Sequence, residues 1–182
     1  MILTIGLTGA LLPVVGLVFL SLGATRPSNL GVHNGRLAVC PDSPNCVSSQ
    51  TRSPTHSMPP ITYDGDSATA MQTLLDIVSG MDGAQVVSSE DGYIHCEFST
   101  PMFRFVDDVE FLLDADKSVI HFRSASRVGH SDFDNNRQRM NEIRSRFTEA
   151  NNDWRPTTSK SQLSIGRTIA VGAQLEHAEF GL

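Results

Sequence analysis

Ionisable side chains alternate with other residues along three short segments in the middle of the chain. In chain order, the pairs two residues apart are His95 and Glu97, Asp108 and Glu110, and His121 and Arg123. If the segments are neighbouring β-strands, each pair shares a face of the sheet, and acids can meet bases across strands. Three interpretations stay open: a solvated polar face, a structural ion-pair network, and a binding or catalytic cleft.

In the cleft interpretation, a histidine acts as acid or base and an arginine binds an anion. The group that would serve an envelope hydrolase or transferase in this way is His121, Asp108 and Arg123, with His95 and Arg127 as substitutes. The sequence contains no glycine-rich phosphate loop, nucleophile elbow or metalloprotease helix motif. The pattern therefore favours a non-enzymatic binding or accessory domain over an enzyme, and it names no reaction.

Further polar residues lie around the start of the helix that follows the third segment. A helix N-terminus attracts anions, so a small anionic ligand or a protein partner could bind there. The alternative is that Ser131 caps the helix and Arg127 pairs with Asp132 or Asp134. The predicted ligand or partner surface comprises Asp107, Asp108, Glu110, Arg123, Ser124, Ser126, Arg127, Ser131, Asn136 and Arg137.

Two of the three cysteines bracket a turn-rich run, CPDSPNC. A disulfide between Cys40 and Cys46 suits an oxidising compartment. The alternative is a metal site completed by His33 or His56, but the spacing matches no familiar zinc pattern, and we expect no metal or other cofactor. Cys96 alternates with apolar neighbours and is expected to pack as a small core residue.

The elements that position these residues follow from hydrophobic periodicity. Helical spacing with a cap at Asp66 or Ser67 predicts a helix over residues 67–79, and a capping box of Ser131 and Asp134 predicts a second helix to about Thr148. Between them, alternation and turn residues predict strands over 84–88, 93–100, 107–113 and 119–126. The expected fold is α+β, a four-stranded antiparallel meander with two helices packed on one face, in the order α-β-β-β-β-α.

Residues 1–23 contain no charged side chain and are long enough to cross a bilayer as a helix. The alternatives are a cleaved export signal, with Ser21 and Gly23 as a small-residue cleavage site, and a buried core helix. Arg26 and Arg36 follow the run and would place the domain in the cytoplasm by the positive-inside bias. The cysteine pair favours the opposite side, and we expect a membrane-anchored, extracytoplasmic domain.

The 182 residues divide into four stretches. After the apolar run, residues 24–60 form an extended connection rich in proline and serine, residues 61–150 form the α+β domain, and residues 151–182 form a loosely ordered tail. The net charge of −6, without a clustered basic face, argues against a nucleic-acid partner.

Three segments resemble an uncharacterised family, domain of unknown function 1499. They are CPDSPNCVSSQ (40–50), FVDDVEFLLD (105–114) and VIHFRSASRVGHSDFDNNRQRMNEIR (119–144), and the resemblance covers roughly residues 37–147. It implies a small domain, often behind a membrane segment or export signal, in bacterial envelopes and plastids. The family has no established activity, so the resemblance assigns no catalytic residue. Its characteristic polar positions correspond here to Cys40, Cys46, Asp107, Asp108, Glu110, Arg123, Ser124, Ser126, Arg127, Ser131, Asp132, Asn136 and Arg137, and His130 stands where tyrosine is expected.

Overall fold

The computed structural model describes residues 25–101 and 104–153. The elements are β1 (Cys46–Ser48), β2 (Ile61–Thr62), α1 (Ser67–Ser79), β3 (Ala84–Glu90), β4 (Tyr93–Ser99), β5 (Val106–Asp114), β6 (Val119–Ser126) and α2 (Asn135–Asp153), with a 3-10 turn at Ala115–Lys117. The predicted membrane segment, residues 1–23, and almost all of the predicted tail lie outside the described residues. Within the described ranges, no helix is both long and apolar enough to span a membrane.

All the strands form one antiparallel sheet in the order β1-β6-β5-β4-β3, and β2 also pairs with β6. The four predicted strands are present as β3 to β6, but the described sheet has six strands, so the predicted count was wrong. The additional strands are only three and two residues long, too short for alternation to reveal them. They pair with the edge of β6, which a four-stranded meander would leave open.

The stretch before the predicted domain contributes a strand to the sheet and side chains to the buried core. Residues 25–60, which we call the connector, supply β1, and Leu37, Val47 and Met58 are buried. Their apolar side chains are isolated among prolines and serines, so hydrophobic periodicity did not predict their burial.

The first helix, α1, begins and ends as the sequence predicted. The side chain of Asp66 accepts a hydrogen bond from the backbone N of Thr69 at 2.8 Å, which satisfies one of the free N–H groups of the first turn. Ala70, Leu74 and Val78 recur every four residues and are buried against the sheet.

The second helix begins four residues after the predicted start at Ser131, so the predicted capping box is wrong. Phe133 and Asp134 have φ angles of 55° and 64°, which no helical residue adopts. A free N–H group of the first turn is satisfied by Asp132 instead, whose Oδ2 accepts from the backbone N of Asn136 at 2.8 Å. Several side chains near this position could cap a helix, and the sequence does not indicate that two consecutive residues adopt the left-handed conformation.

The core lies between the sheet and the two helices. Its fully buried members include Ile94, Cys96, Val109, Phe111, Ile120 and Phe122 from the strands, and Leu74, Val78, Met140, Ile143 and Phe147 from the helices. Burial raises the pKa of the Cys96 thiol to about 12, so this cysteine packs as an apolar residue, as expected.

The turn into β3 brings two backbones into contact and gives a test of the fold. A Cβ on Gly83 (φ +74°) would lie 2.5 Å from the carbonyl oxygen of Ser99, whereas a Cβ on Gly35 (φ +73°) would meet nothing within 4 Å. Gly35→Ala should cost about 1–2 kcal/mol of unfolding free energy for the left-handed backbone alone. Gly83→Ala should cost about 1–3 kcal/mol more, because the clash adds to the same strain. Urea denaturation of both variants measures the difference, and equal losses would contradict the close approach.

Candidate functional site

The pleat of the sheet divides the predicted site residues between two faces. On β5, Asp108 and Glu110 bond to groups on one side of the sheet, and Asp107 bonds to α2 on the other. We call the first side the connector face, because Arg26 and Gly31 of the connector contact it, and the second the helix face, because the two helices pack there. The expectation that these groups gather into one surface is therefore wrong, and they form two clusters.

The carboxylate of Asp108 is the centre of the connector-face cluster and is only 1 % exposed. Arg127 donates to it from Nε at 2.8 Å and from Nη2 at 2.7 Å, and Nε2 of His95 lies 2.9 Å from Oδ1. Burial alone would raise the pKa of Asp108, but the hydrogen bonds and charges of Arg127 and His95 outweigh it and lower the pKa. The carboxylate is therefore ionised at neutral pH.

Glu97 joins the connector to this cluster. Its Oε1 accepts from Nη2 of Arg127 at 2.5 Å and from Nε and Nη2 of Arg26 at 2.9 and 2.5 Å. Burial opposes the ionisation of Glu97, yet the two arginines outweigh it and lower its pKa. The hydrogen bond to Asp108 does most to raise the pKa of Arg127, with a smaller contribution from Glu97. One carboxylate oxygen thus holds Arg26 of the connector beside Arg127, the residue that follows β6.

Glu110 fastens the connector at a second point. Its side chain is fully buried, and Oε1 accepts from the backbone N of Gly31 at 2.7 Å and from the hydroxyl of Tyr93 at 2.8 Å. Nη1 of Arg123 donates to Oε2 at 3.3 Å. Burial, followed by the negative charge of Glu110, raises the pKa of Tyr93, so the phenol stays protonated and donates.

The second cluster lies on the helix face around Asp107 and Arg139. Nη2 of Arg139 donates to Asp107 at 2.5 Å, and Nη1 donates to Oδ1 of Asn136 at 2.8 Å and to Oγ of Ser124 at 3.1 Å. The guanidinium also stands over the ring of Phe98, 4.7 Å from its centroid. This arginine therefore ties α2 to three strands.

Asn136 connects the same helix to the connector and to the preceding loop. Its buried Nδ2 lies 3.0 Å from the carbonyl oxygen of Asn45, 3.1 Å from Oγ of Ser126 and 2.7 Å from Oδ2 of Asp132. Oδ1 accepts from Oγ of Ser124 at 2.5 Å. Every polar atom of this amide is committed within the fold.

The remaining two predicted surface residues lie in neither cluster. Oγ of Ser131 accepts from the backbone N of Phe133 at 3.3 Å and so shapes the loop locally. Arg137 donates to the carbonyl oxygens of Thr55 and Ser57 at 2.7 and 3.3 Å. It braces the connector against α2.

The proposed acid–base group of His121, Asp108 and Arg123 does not assemble. Nδ1 of His121 lies 3.2 Å from Oγ of Ser49, and Nε2 lies 3.6 Å from the carboxylate of Asp114. Burial lowers the pKa of His121, and the opposing effect of Asp114 does not restore it. The three groups have separate partners because the β5–β6 register places a different residue opposite each one.

One set of side chains has the composition of a metal site. His95, Glu97 and Asp108 each present a ligand atom, and these atoms lie within 4.8 Å of one another. Nη2 of Arg127, however, donates to both carboxylates, so its guanidinium already supplies the positive charge there. A divalent cation would have to displace Arg127, and we assign no metal to this set.

The first two cysteines are joined in the structure. A disulfide links Cys40 to Cys46, whose Cα atoms lie 5.7 Å apart. Bonded sulfurs are not thiolates, so they cannot form a metal site with His33 or His56. Nδ1 of His56 instead lies 2.8 Å from the carbonyl oxygen of Cys46. The disulfide closes the loop that leads the connector into β1.

Several residues that complete the two clusters were missed from the sequence. They are Arg26, Gly31, Asn45, Tyr93 and Arg139. Tyr93 lies two residues before His95 on the same strand, so the alternation of the strand predicts that it shares the face of His95 and Glu97. Arg139 lies three residues after Asn136 on the same side of a helix, so helical spacing predicts that the two side chains are neighbours. Gly31 and Asn45 contribute backbone atoms, which no pattern of side chains reveals.

A cleft of about 410 Å³ lies beside α2 at the end of β4. Arg139 and Arg146 line one wall, and residues 80–82 and 99–101 line the other. Arg146 pairs with Glu142 at 2.7 Å, but these side chains are 46 % and 51 % exposed. Such a pair contributes little, so Arg146 can turn to a ligand at small cost.

Comparison of the chain with known protein families gives a match, which contains most residues of the two clusters. A family model described as a protein of unknown function, DUF1499, matches residues 36–147. This stretch contains both clusters except for Arg26 and Gly31. No curated protein and no solved structure matches the chain.

The connector-face cluster can be tested by removing one charge. Asp108→Asn keeps the shape of the side chain but leaves Arg127 without its main buried counter-ion. The free energy of unfolding at pH 7 should fall by about 3–5 kcal/mol, the usual cost of breaking a buried pair. Because the folded pKa of Asp108 is lowered, its stabilisation is present above the unfolded pKa and is lost as the pH falls through the folded pKa. The free energies of unfolding of the wild type and the variant should therefore become equal at acidic pH.

Glu142→Gln is the matched control, because it removes the charge of an exposed pair on α2. Its cost should stay within about 0.5 kcal/mol. Urea denaturation over a pH series measures both variants. If Asp108→Asn costs no more than the control, or if its deficit persists unchanged at low pH, the ion-pair cluster does not stabilise the fold as described.

Proposed function

Since the chain belongs to the DUF1499 family, whose function is unknown, we propose its role from the geometry of the connector. The protein is a membrane-tethered accessory domain of the cell envelope, and it acts by binding rather than by catalysis. Its two polar clusters are structural, and its ligand surface is the cleft beside α2.

The observation that carries this proposal is the attachment of the connector directly after the apolar run. Arg26, three residues beyond the last residue of that run, is bound to Glu97. Gly31 is bound to Glu110, and the disulfide and β1 follow. A flexible linker would let a domain swing freely from its anchor. A connector held at successive points instead gives the domain a defined position relative to the membrane segment.

The disulfide supports the extracytoplasmic side. Disulfides persist in secreted and periplasmic proteins and are rare where thiols are kept reduced. Arg26 and Arg36 favour the opposite orientation, but two residues are a weak bias, and Arg26 has a specific partner in Glu97.

Two features support binding in the cleft beside α2. The described residues that line it include the guanidinium groups of Arg139 and Arg146 beside the carboxylates of Asp82 and Glu142, and they include no histidine or cysteine. Arg146 presents a half-exposed guanidinium, a group that binds carboxylates and phosphates through paired hydrogen bonds. The proposed ligand is therefore small and anionic.

The tether predicts that the full chain resists extraction from membranes. After expression in a bacterium, it should stay in the membrane pellet through a carbonate wash, and protease should digest its domain in spheroplasts but not in intact cells. The matched variant Leu12→Arg/Val15→Arg should become extractable, because each arginine at the centre of a membrane helix costs about 2.5–3.5 kcal/mol of insertion. Release of the wild-type chain by carbonate would refute the tether, and a domain protected in spheroplasts would refute the orientation.

The cleft predicts ligand-dependent stabilisation. Small carboxylates and phosphates are screened by thermal unfolding, and a ligand at 100 times its Kd should raise the melting temperature by about 10 °C. Arg146→Glu should abolish the rise, whereas Lys117→Glu, which reverses an exposed charge in the turn between β5 and β6, should retain it. The cleft is not the binding surface if no anion stabilises the protein or if both variants respond alike.

A further inference from the structure

The most exposed large apolar side chain among the described residues is Phe133, which is 86 % exposed. Its φ of 55° lies in the left-handed region, which bulky residues seldom occupy unless the surroundings impose it. Asp132 imposes it here, because its carboxylate accepts from the backbone N of Asp134 at 3.2 Å and of Asn136 at 2.8 Å. The ring is therefore held out in solvent by a fixed loop.

This loop, residues 127–134, rounds one end of the sheet. Arg127 at its start bonds to Glu97 on the connector face, and Asn136 just after it bonds to Ser126 on the helix face. Arg26 reaches the same end, because it bonds to the same oxygen of Glu97. We call this the Glu97 end of the domain. The 3-10 turn at Ala115–Lys117 lies at the opposite end.

The length of chain between the apolar run and the Glu97 end is short. The run ends at Gly23, three residues before Arg26. Three extended residues span at most about 10 Å. If the run crosses the bilayer, as proposed above, the membrane surface lies within that distance of the residue that is bound to Glu97.

We propose that the Glu97 end rests on the bilayer, with the ring of Phe133 in the interface between headgroups and acyl chains. The inference depends on the membrane tether of the proposed function and adds the surface that meets the lipid. Phenylalanine is one of the apolar side chains that membrane-surface elements bury at the boundary between headgroups and acyl chains. The proposed contact is made by the apolar ring of Phe133, so it does not require anionic lipid.

The tether is what makes one aromatic side chain sufficient. Burying a single phenylalanine favours the membrane by about 10- to 100-fold, too little to recruit a free protein from solution. A short tether converts the contact into an intramolecular one with a high effective concentration. The proposal therefore applies to the full chain in a membrane.

The test measures the depth of a tryptophan placed at position 133. The sole native tryptophan is removed by Trp154→Phe, and Phe133→Trp is added in the full chain, reconstituted in phosphatidylcholine vesicles with brominated acyl chains. The matched control carries Asp116→Trp in the exposed 3-10 turn. Bromine should quench the tryptophan fluorescence of the F133W variant and leave the fluorescence of the D116W variant unchanged. An unchanged melting temperature shows that both variants fold.

Equal quenching of the two variants, or quenching of neither, would overturn the membrane contact. Flotation of the same vesicles separates this failure from that of the tether: a chain that floats but gives no quenching at position 133 is tethered without the contact. A chain that does not float refutes both. If the F133W variant is shielded from iodide in native membranes but not in vesicles, the ring meets a protein partner, and the lipid contact is refuted.

Discussion

Buried carboxylates that must be neutralised set the arrangement of this domain. Asp107, Asp108 and Glu110 lie on one strand and are almost fully buried. Each buried charge costs several kcal/mol unless it is paired and hydrogen-bonded. The partners come from different parts of the chain: Arg127 follows β6, Arg139 comes from α2, and the backbone N of Gly31 comes from the connector. Pairing the buried carboxylates of β5 therefore fixes the positions of the connector, of the loop after β6 and of α2.

Charge pairs fasten the connector more specifically than apolar contacts would. A buried ion pair is often no more stable than a well-packed apolar pair, so its advantage here is directional. The segment from Arg26 to Gly31 crosses the sheet with few apolar side chains of its own, and a hydrophobic surface would not define its path. Glu97 and Glu110 accept from specific donors along that segment. The same commitment occupies the carboxylates of the clusters, because Asp107, Asp108, Glu97 and Glu110 each accept hydrogen bonds from within the fold.

The sequence predicted the antiparallel meander and the first helix because both have strong periodic patterns. It also contained the reason why the site residues separate, since adjacent residues such as Asp107 and Asp108 must point to opposite faces. The predicted single surface ignored that alternation. Other features had no such signal. Strands of two or three residues show no period, and the late start of α2 depends on Phe133 and Asp134 in left-handed conformations. The donor of Gly31 is a backbone atom, which any residue except proline would supply.

The two clusters also explain how the strained loop of residues 127–134 persists. At its first residue, Arg127 is bound to Asp108 and Glu97, and at its far end Asp132 is bound to the buried amide of Asn136. Both ends are thus held by groups with little freedom to move, so the backbone between them tolerates conformations that would relax in a free loop. Because Glu97 also binds Arg26, the position of the connector and the position of the exposed ring depend on the same carboxylate. The cluster therefore links the route of the chain towards residues 1–23 to the shape of the surface beside it.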